Sequence, residues 1–106
     1  MKINYQNLEK KINTKFKSIS LLTQSLTHKS FDTKKNNEKL EFLGDRVLGL
    51  VIAKKLLEIY PEEKERILDK KFSSLVNKNT CLEIANIINL EKFILTFNPN
   101  NKKIKI

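Results

Sequence analysis

A chain of 106 residues has room for one domain, and 40% hydrophobic with 31% charged residues suits a globular protein with one modest core. Two glycines and two prolines are too few for the tight turns of a sandwich or barrel, and a lone cysteine rules out an intrachain disulfide or a cysteine-built zinc cluster. The formal charge of +9 is unevenly placed: residues 1–35 set eight lysines against Glu9 and Asp32 (+6), residues 36–69 set six basic groups against eight acids (−2), and residues 70–106 set seven lysines against Glu83 and Glu91 (+5).

In chain order, Ile3, Leu8 and Ile12 mark a first amphipathic helix over about 3–13. Leu21, Leu22, Ser25 and Leu26 supply the stripe of a second, Ser18 to His28. Met1 to Ser20 carries lysines throughout and lacks the apolar core of a signal peptide. The polar stretch Ser30 to Asn36 is a loop. From Asn37 to Tyr60 the pattern is strongest: Leu40, Leu43, Val47, Leu50 and Val51 recur at spacings of three and four. Around Val47 to Ala53 the apolar residues spread over the whole circumference, which predicts a central, buried helix. That run is far shorter than the roughly 20 residues a bilayer span needs, so a cytoplasmic protein without a membrane partner is expected.

Pro61 ends the long helix and opens an acidic connector to Glu65. A further helix is predicted over Ile67 to Val76, then one starting at Asn79 or Thr80, where Thr80 and Glu83 match a capping box. Cys81 reads as a small buried apolar residue. Leu90 to Phe97 suits either the end of a helix or an extended stretch. The tail Asn98 to Ile106 has no packing stripe, and its Lys-Ile-Lys-Ile ending alternates like a strand without a partner, as expected of an incomplete domain or, alternatively, of a disordered natural tail.

Glu38, Glu41 and Asp45 stand at i, i+3 and i+7 of the long helix, within about a 60° arc. Like charges so spaced destabilise a helix by roughly 0.2–0.5 kcal/mol per pair, so the stripe wants a counter-cation. A hard ion such as Mg²⁺, which takes one or two carboxylates plus waters and phosphate oxygens, is one candidate; neutralisation by Lys34 and Lys35 is the other. Gly44, between two of the acids, costs roughly 1 kcal/mol relative to alanine and predicts a close approach, by a partner or by a neighbouring helix of the same chain. Phe42 lies beside the acidic face and is expected to be exposed unless a partner covers it. Basic flanks around an acidic middle suit a polyanion held beside carboxylates, although a merely lysine-rich surface gives the same tally.

Asn37-Glu38-Lys39-Leu40-Glu41-Phe42-Leu43-Gly44-Asp45-Arg46-Val47-Leu48 resembles the signature of the bacterial ribonuclease III family, whose core reads E-x-L-E-F-L-G-D. Leu26-Thr27-His28-Lys29-Ser30 and Leu75-Val76-Asn77-Lys78-Asn79-Thr80 are similar to its flanking segments, so that the likeness runs from about residue 5 to residue 100. The resemblance implies an all-α fold, the helical endonuclease domain of that family, over residues 1–106 and C-terminally incomplete. It implies a homodimer that cleaves double-stranded RNA with Mg²⁺ in ribosomal and messenger RNA processing. It places Glu41 and Asp45 at the metal site, with Asp45 also catalytic. Glu38 and Glu65 become accessory acids, and Phe42 a contact with the other subunit. His28 reads as structural. The family's second acidic pair and its double-stranded-RNA-binding domain have no counterpart here, since no acid follows Glu91. Arg66 stands where the family usually has glycine, and Arg46 where smaller residues are common. A chain with half the ligands is expected to be inactive alone. The competing readings are a non-catalytic RNA-binding module on the same scaffold and a helical adaptor, for which only Phe42 speaks.

Overall fold

The computed structural model describes residues 3–98 and 103–105. Five α-helices dominate the described residues: α1 (Gln6–Ile12), α2 (Ile19–Ser25), α3 (Glu38–Ile59), α4 (Glu65–Val76) and α5 (Lys78–Ile87). A 3-10 turn follows at Leu90–Phe93, then β1 (Thr96–Asn98) and β2 (Lys103–Lys105), paired antiparallel with Phe97 opposite Ile104. The fold is all-α with one short hairpin, as the helical stripes predict. The alternating tail does have a strand partner, in β1. The remaining residues of the expected tail lie outside the described ones.

Local chemistry sets the helix ends. Asn13 closes α1 in the left-handed region (φ 53°), which asparagine tolerates well. Ser18 caps α2, its hydroxyl accepting from the Leu21 N–H at 3.1 Å. Glu65 belongs to the first turn of α4 and not to the connector. The cap of α5 also differs from expectation. Asn77 accepts the Thr80 N–H at 2.9 Å, and its amide donates back to the carbonyls of Ser73 and Ser74, so one side chain ends α4 and starts α5. Thr80 turns its hydroxyl to the Ser74 carbonyl (2.8 Å) and no Thr80–Glu83 capping box forms. Asn77 prevails because it reaches both helix ends at once.

The core gathers α1, α2 and the 3-10 turn. Tyr5, Leu8, Leu22 and Leu26 are buried together, with Phe16, Ile88, Leu90, Phe93 and Ile94 packed around them. The Tyr5 hydroxyl is hydrogen-bonded to Thr23 Oγ1 at 2.9 Å, which satisfies the polar tip of a buried ring. Leu95, also buried, joins this core to the Leu26–Thr27 segment through a parallel bridge.

α3 and α4 run antiparallel: Phe72 lies where a Cβ on Gly49 would stand 3.5 Å away, and Leu68 shares a crevice with Leu56. The long helix is nevertheless not the buried centre that its apolar circumference predicts. Only Leu56 is buried on it, while Leu43, Val47, Val51 and Leu57 are more than half exposed or close to it and Leu50 is 71% exposed. Leu82, Ile84 and Ile87 of α5 are exposed too, and so is Cys81, against the expectation of a buried thiol. The radius of gyration, 16.5 Å against about 13 Å for a compact domain of this length, reflects the same openness. An all-round apolar helix asks for cover on all sides, and the described chain covers one.

Candidate active site

The first two turns of α3 carry Glu38, Glu41 and Asp45 on one face, exposed to solvent. Asn36, Asn37 and Thr27 fix where this face begins. The Asn36 side-chain oxygen accepts the Glu38 N–H at 3.1 Å, and the Asn37 N–H donates to the Thr27 carbonyl at 2.9 Å. Gln24 reaches the Asn36 carbonyl at 3.2 Å, so α2 anchors the entry into α3.

Among the described residues no cation lies within 4.0 Å of the three carboxylates. Lys34 and Lys35 do not neutralise the stripe. Their backbone N–H groups both bond Asp32 Oδ1 at 2.9 Å, and the Lys35 ammonium is turned to the Ser20 hydroxyl at 3.4 Å. These backbone bonds, that of Lys35 foremost, hold the Asp32 carboxyl below the usual range for aspartate. The acidic stripe is left with uncompensated like charge.

An open groove of about 550 Å³ follows the stripe, bordered by the three acids, Phe42, Gly44 and Arg46. A Cβ built on Gly44 would meet nothing within 4 Å, so packing inside the chain does not explain this glycine. The opening it leaves faces outward. Phe42 is 62% exposed, as expected, and its ring is covered on one side by Arg46, whose guanidinium carbon stands 3.8 Å from the ring centroid. Arg46 Nη1 also donates to the Phe42 carbonyl at 3.0 Å. Such an exposed cation–π contact contributes roughly 0.5–1 kcal/mol.

Glu65 is not brought to this face. It opens α4 past the far end of α3, roughly 20 Å from Asp45 at 1.5 Å of rise per residue. Among the described residues no three of His, Cys, Asp and Glu converge as a metal-binding group. Glu41 and Asp45, one turn apart, exposed and unpaired, offer the hard oxygen donors that Mg²⁺ takes from a protein, which is usually one or two carboxylates. The donor chemistry fits a partial shell.

Thr27, His28 and Ser30, within the Leu26–Ser30 segment that resembles the family, form a hydrogen-bonded junction with Leu95, Thr96 and Phe97 that their local sequence does not reveal. The Leu26–Ser30 match was the only available signal, because partners 66 residues away leave no local pattern.

No helix among the described residues is long and apolar enough to cross a membrane. A family model described as ribonuclease-III-like matches residues 18–105. A ribonuclease 3 of Pelagibacter ubique (strain HTCC1062) is 67% identical over 106 residues, which is 100% of this chain and 48% of that protein. A ribonuclease 3 of Campylobacter jejuni is 45% identical over 92 residues, covering 87% of this chain and 41% of its own length. The chain therefore spans about half the length of the curated relatives it matches. Among solved structures, a nuclease domain of Campylobacter jejuni ribonuclease III, described for structural flexibility in a region involved in dimer formation, superposes with a TM-score of 0.85 at 42% identity, covering 92% of this chain and 68% of that one. A second, at 2.2 Å resolution, gives 0.84 at 42% identity. Fold, motif and relatives agree, and the chain belongs to the ribonuclease III family.

Proposed function

We propose that residues 1–106 form part of a single endonuclease domain, and that the intact protein is a Mg²⁺-dependent, homodimeric endoribonuclease. Its substrates are double-stranded RNAs, cut during ribosomal and messenger RNA processing in the cytoplasm. The observation that carries this reading is the unpaired Glu41–Asp45 pair beside an outward-facing Gly44 and an exposed Phe42, on a fold 42% identical to a ribonuclease III nuclease domain.

Glu41 and Asp45 would hold the cation, and Asp45 is also the catalytic carboxylate. When bound, Mg²⁺ supplies an activated water and neutralises charge developing at the phosphate. The chain's own groups do the rest. The Gly44 gap admits a backbone where any side chain would stand in the way. Glu38 extends the acidic field by one turn. Glu65, which one chain keeps apart from Asp45, joins this set only across a dimer. Phe42, presented by Arg46, is the dimer contact, and exposed Leu50 and Ile87 mark apolar surface that the intact assembly covers. Lysines such as Lys10 and Lys15, which border a groove beside α1, hold phosphates and read A-form shape rather than sequence.

The test uses duplex RNA with the intact protein, with Asp45→Asn and with this chain alone. The intact protein should cleave only with Mg²⁺, Asp45→Asn should bind without cleaving, and this chain alone should bind weakly, with a steep salt dependence, and not cleave. Duplex binding by an intact protein that never cleaves would favour a non-catalytic RNA-binding module on the same scaffold. Robust cleavage by the 106-residue chain would overturn the metal-site assignment.

A further inference from the structure

Ser30 is exposed, yet its hydroxyl has three hydrogen-bond partners. It accepts the Phe97 N–H at 3.1 Å and lies 3.0 Å from Thr96 Oγ1 and 2.8 Å from His28 Nδ1. His28 Nδ1 accepts the Ser30 N–H at 3.0 Å, which puts the proton of the neutral ring on Nε2. The same short segment is bonded on both sides through its backbone. His28 N–H donates to the Leu95 carbonyl and Leu95 N–H to the Leu26 carbonyl, both at 2.8 Å, while the Thr27 carbonyl accepts Asn37 N–H at 2.9 Å.

Thr27 to Ser30 is thus a junction. One side is bonded to the strand Thr96–Asn98, some 66 residues downstream, and the other to the residue that starts α3. Glu38 follows Asn37 directly and Glu41 lies one turn on, with its N–H on the Asn37 carbonyl at 2.8 Å. A shift of the junction reaches the backbone of that first turn through these two hydrogen bonds. A structural role alone would be served by any stable turn. Spending a histidine and a serine on the strand side ties the acidic turn to a second, distant segment.

We propose that Ser30, braced by His28, is a positioning residue for the acidic turn of α3, locking strand Thr96–Asn98 to the Thr27–Asn37 bond so that the first turn, with Glu38 and Glu41, stays wound onto the helix that carries Asp45. The proposal rests on the ribonuclease reading for its catalytic consequence and on the hydrogen bonds alone for its mechanical one. Neither His28 nor Ser30 touches the reacting atoms.

The experiment compares Ser30→Ala, Ser30→Thr and Thr96→Val in the intact protein. Amide hydrogen exchange is read at Phe97, Asn37 and Glu38, and duplex-RNA cleavage with Mg²⁺ is resolved into kcat and KM. Ser30→Ala should speed exchange at Phe97 and, through the junction, at Asn37 and Glu38 by about tenfold or more. It should lower kcat by about tenfold with KM within about twofold, because a misplaced carboxylate affects the chemical step more than RNA binding. Ser30→Thr keeps the hydroxyl and should restore both. Thr96→Val removes one partner and leaves the backbone bonds, so it gives an intermediate change even if Ser30→Ala folds poorly. Faster exchange confined to Phe97, with kcat unchanged, would overturn the proposal, as would a Ser30→Thr variant as impaired as Ser30→Ala. A parent protein that does not cleave RNA, with exchange at Asn37 still answering to Ser30, would instead overturn the ribonuclease reading and leave the mechanical link standing.

Discussion

Replacing Asp45 by asparagine separates a carboxylate kept for chemistry from one kept for stability. Asp45 stands two turns into α3, beyond the reach of the helix N-terminal dipole, and among the described residues no cation lies within 4.0 Å of it. Its charge only repels, and the i,i+4 pair with Glu41 costs roughly 0.2–0.5 kcal/mol. Asparagine and aspartate have similar helix propensities, so the repulsion is what changes. Asp45→Asn should therefore stabilise the protein by about 0.2–0.5 kcal/mol, a rise of roughly 1–4 °C in Tm for a domain of this size. The gain should fade in about 1 M salt, where charges are screened over ~3 Å. Glu41→Gln relieves two such repulsions but gives up a first-turn dipole interaction of roughly 0.3–1 kcal/mol, and should be nearly neutral. Mg²⁺ at about ten times its Kd adds about 1.4 kcal/mol to a form that binds it, so it should raise the Tm of the parent and not of Asp45→Asn. Scanning calorimetry with and without Mg²⁺ reads both effects. A loss above about 1 kcal/mol in Asp45→Asn, or an equal Mg²⁺ response in parent and variant, would refute the reasoning.

Asn77→Ala removes both the start of α5 and the end of α4, and should cost about 0.5–2 kcal/mol by chemical denaturation. Asn77→Asp keeps the cap acceptor, loses the two amide bonds and should fall between; a neutral Asn77→Ala would contradict the double cap. Phe42→Ala should weaken self-association in analytical ultracentrifugation while leaving the circular dichroism helical, and unchanged association would remove Phe42 from the interface. Asp32 is held below its ordinary pKa, so its contribution to the Asp32–Lys35 turn is complete above the usual aspartate range and is lost as the pH falls through the lowered folded value. Its side-chain carbon should titrate below that of an unperturbed aspartate in NMR, with the Lys34 and Lys35 amides losing protection in the same acid window; a midpoint at or above the ordinary aspartate range would remove the two backbone bonds.

The local elements were legible in the residues themselves. Periodicity of three and four located α1 to α4 to within a few residues, because a helix face is written at short spacing. The same spacing put Glu38, Glu41 and Asp45 on one face, and the E-x-L-E-F-L-G-D likeness named the family. What failed was mostly what depends on atoms far along the chain. One failure is local: α5 is capped by Asn77 and not by Asn79 or Thr80, three neighbouring cap formers among which Asn77 alone bonds both the Ser73 and Ser74 carbonyls and the Thr80 N–H. Cys81 and most of the apolar circle of α3 are exposed, because burial depends on what lies opposite and composition does not say what that is. Glu65 is separated from Asp45 by the remaining length of α3, because it opens α4 at that helix's far end. The Thr27–Ser30 junction reached its use only when tertiary folding laid residues 95–97 beside it. Sequence dictates which residues share a face of a helix through local backbone geometry; which faces meet, and which stay open, is decided by long-range closure that no short window of residues encodes.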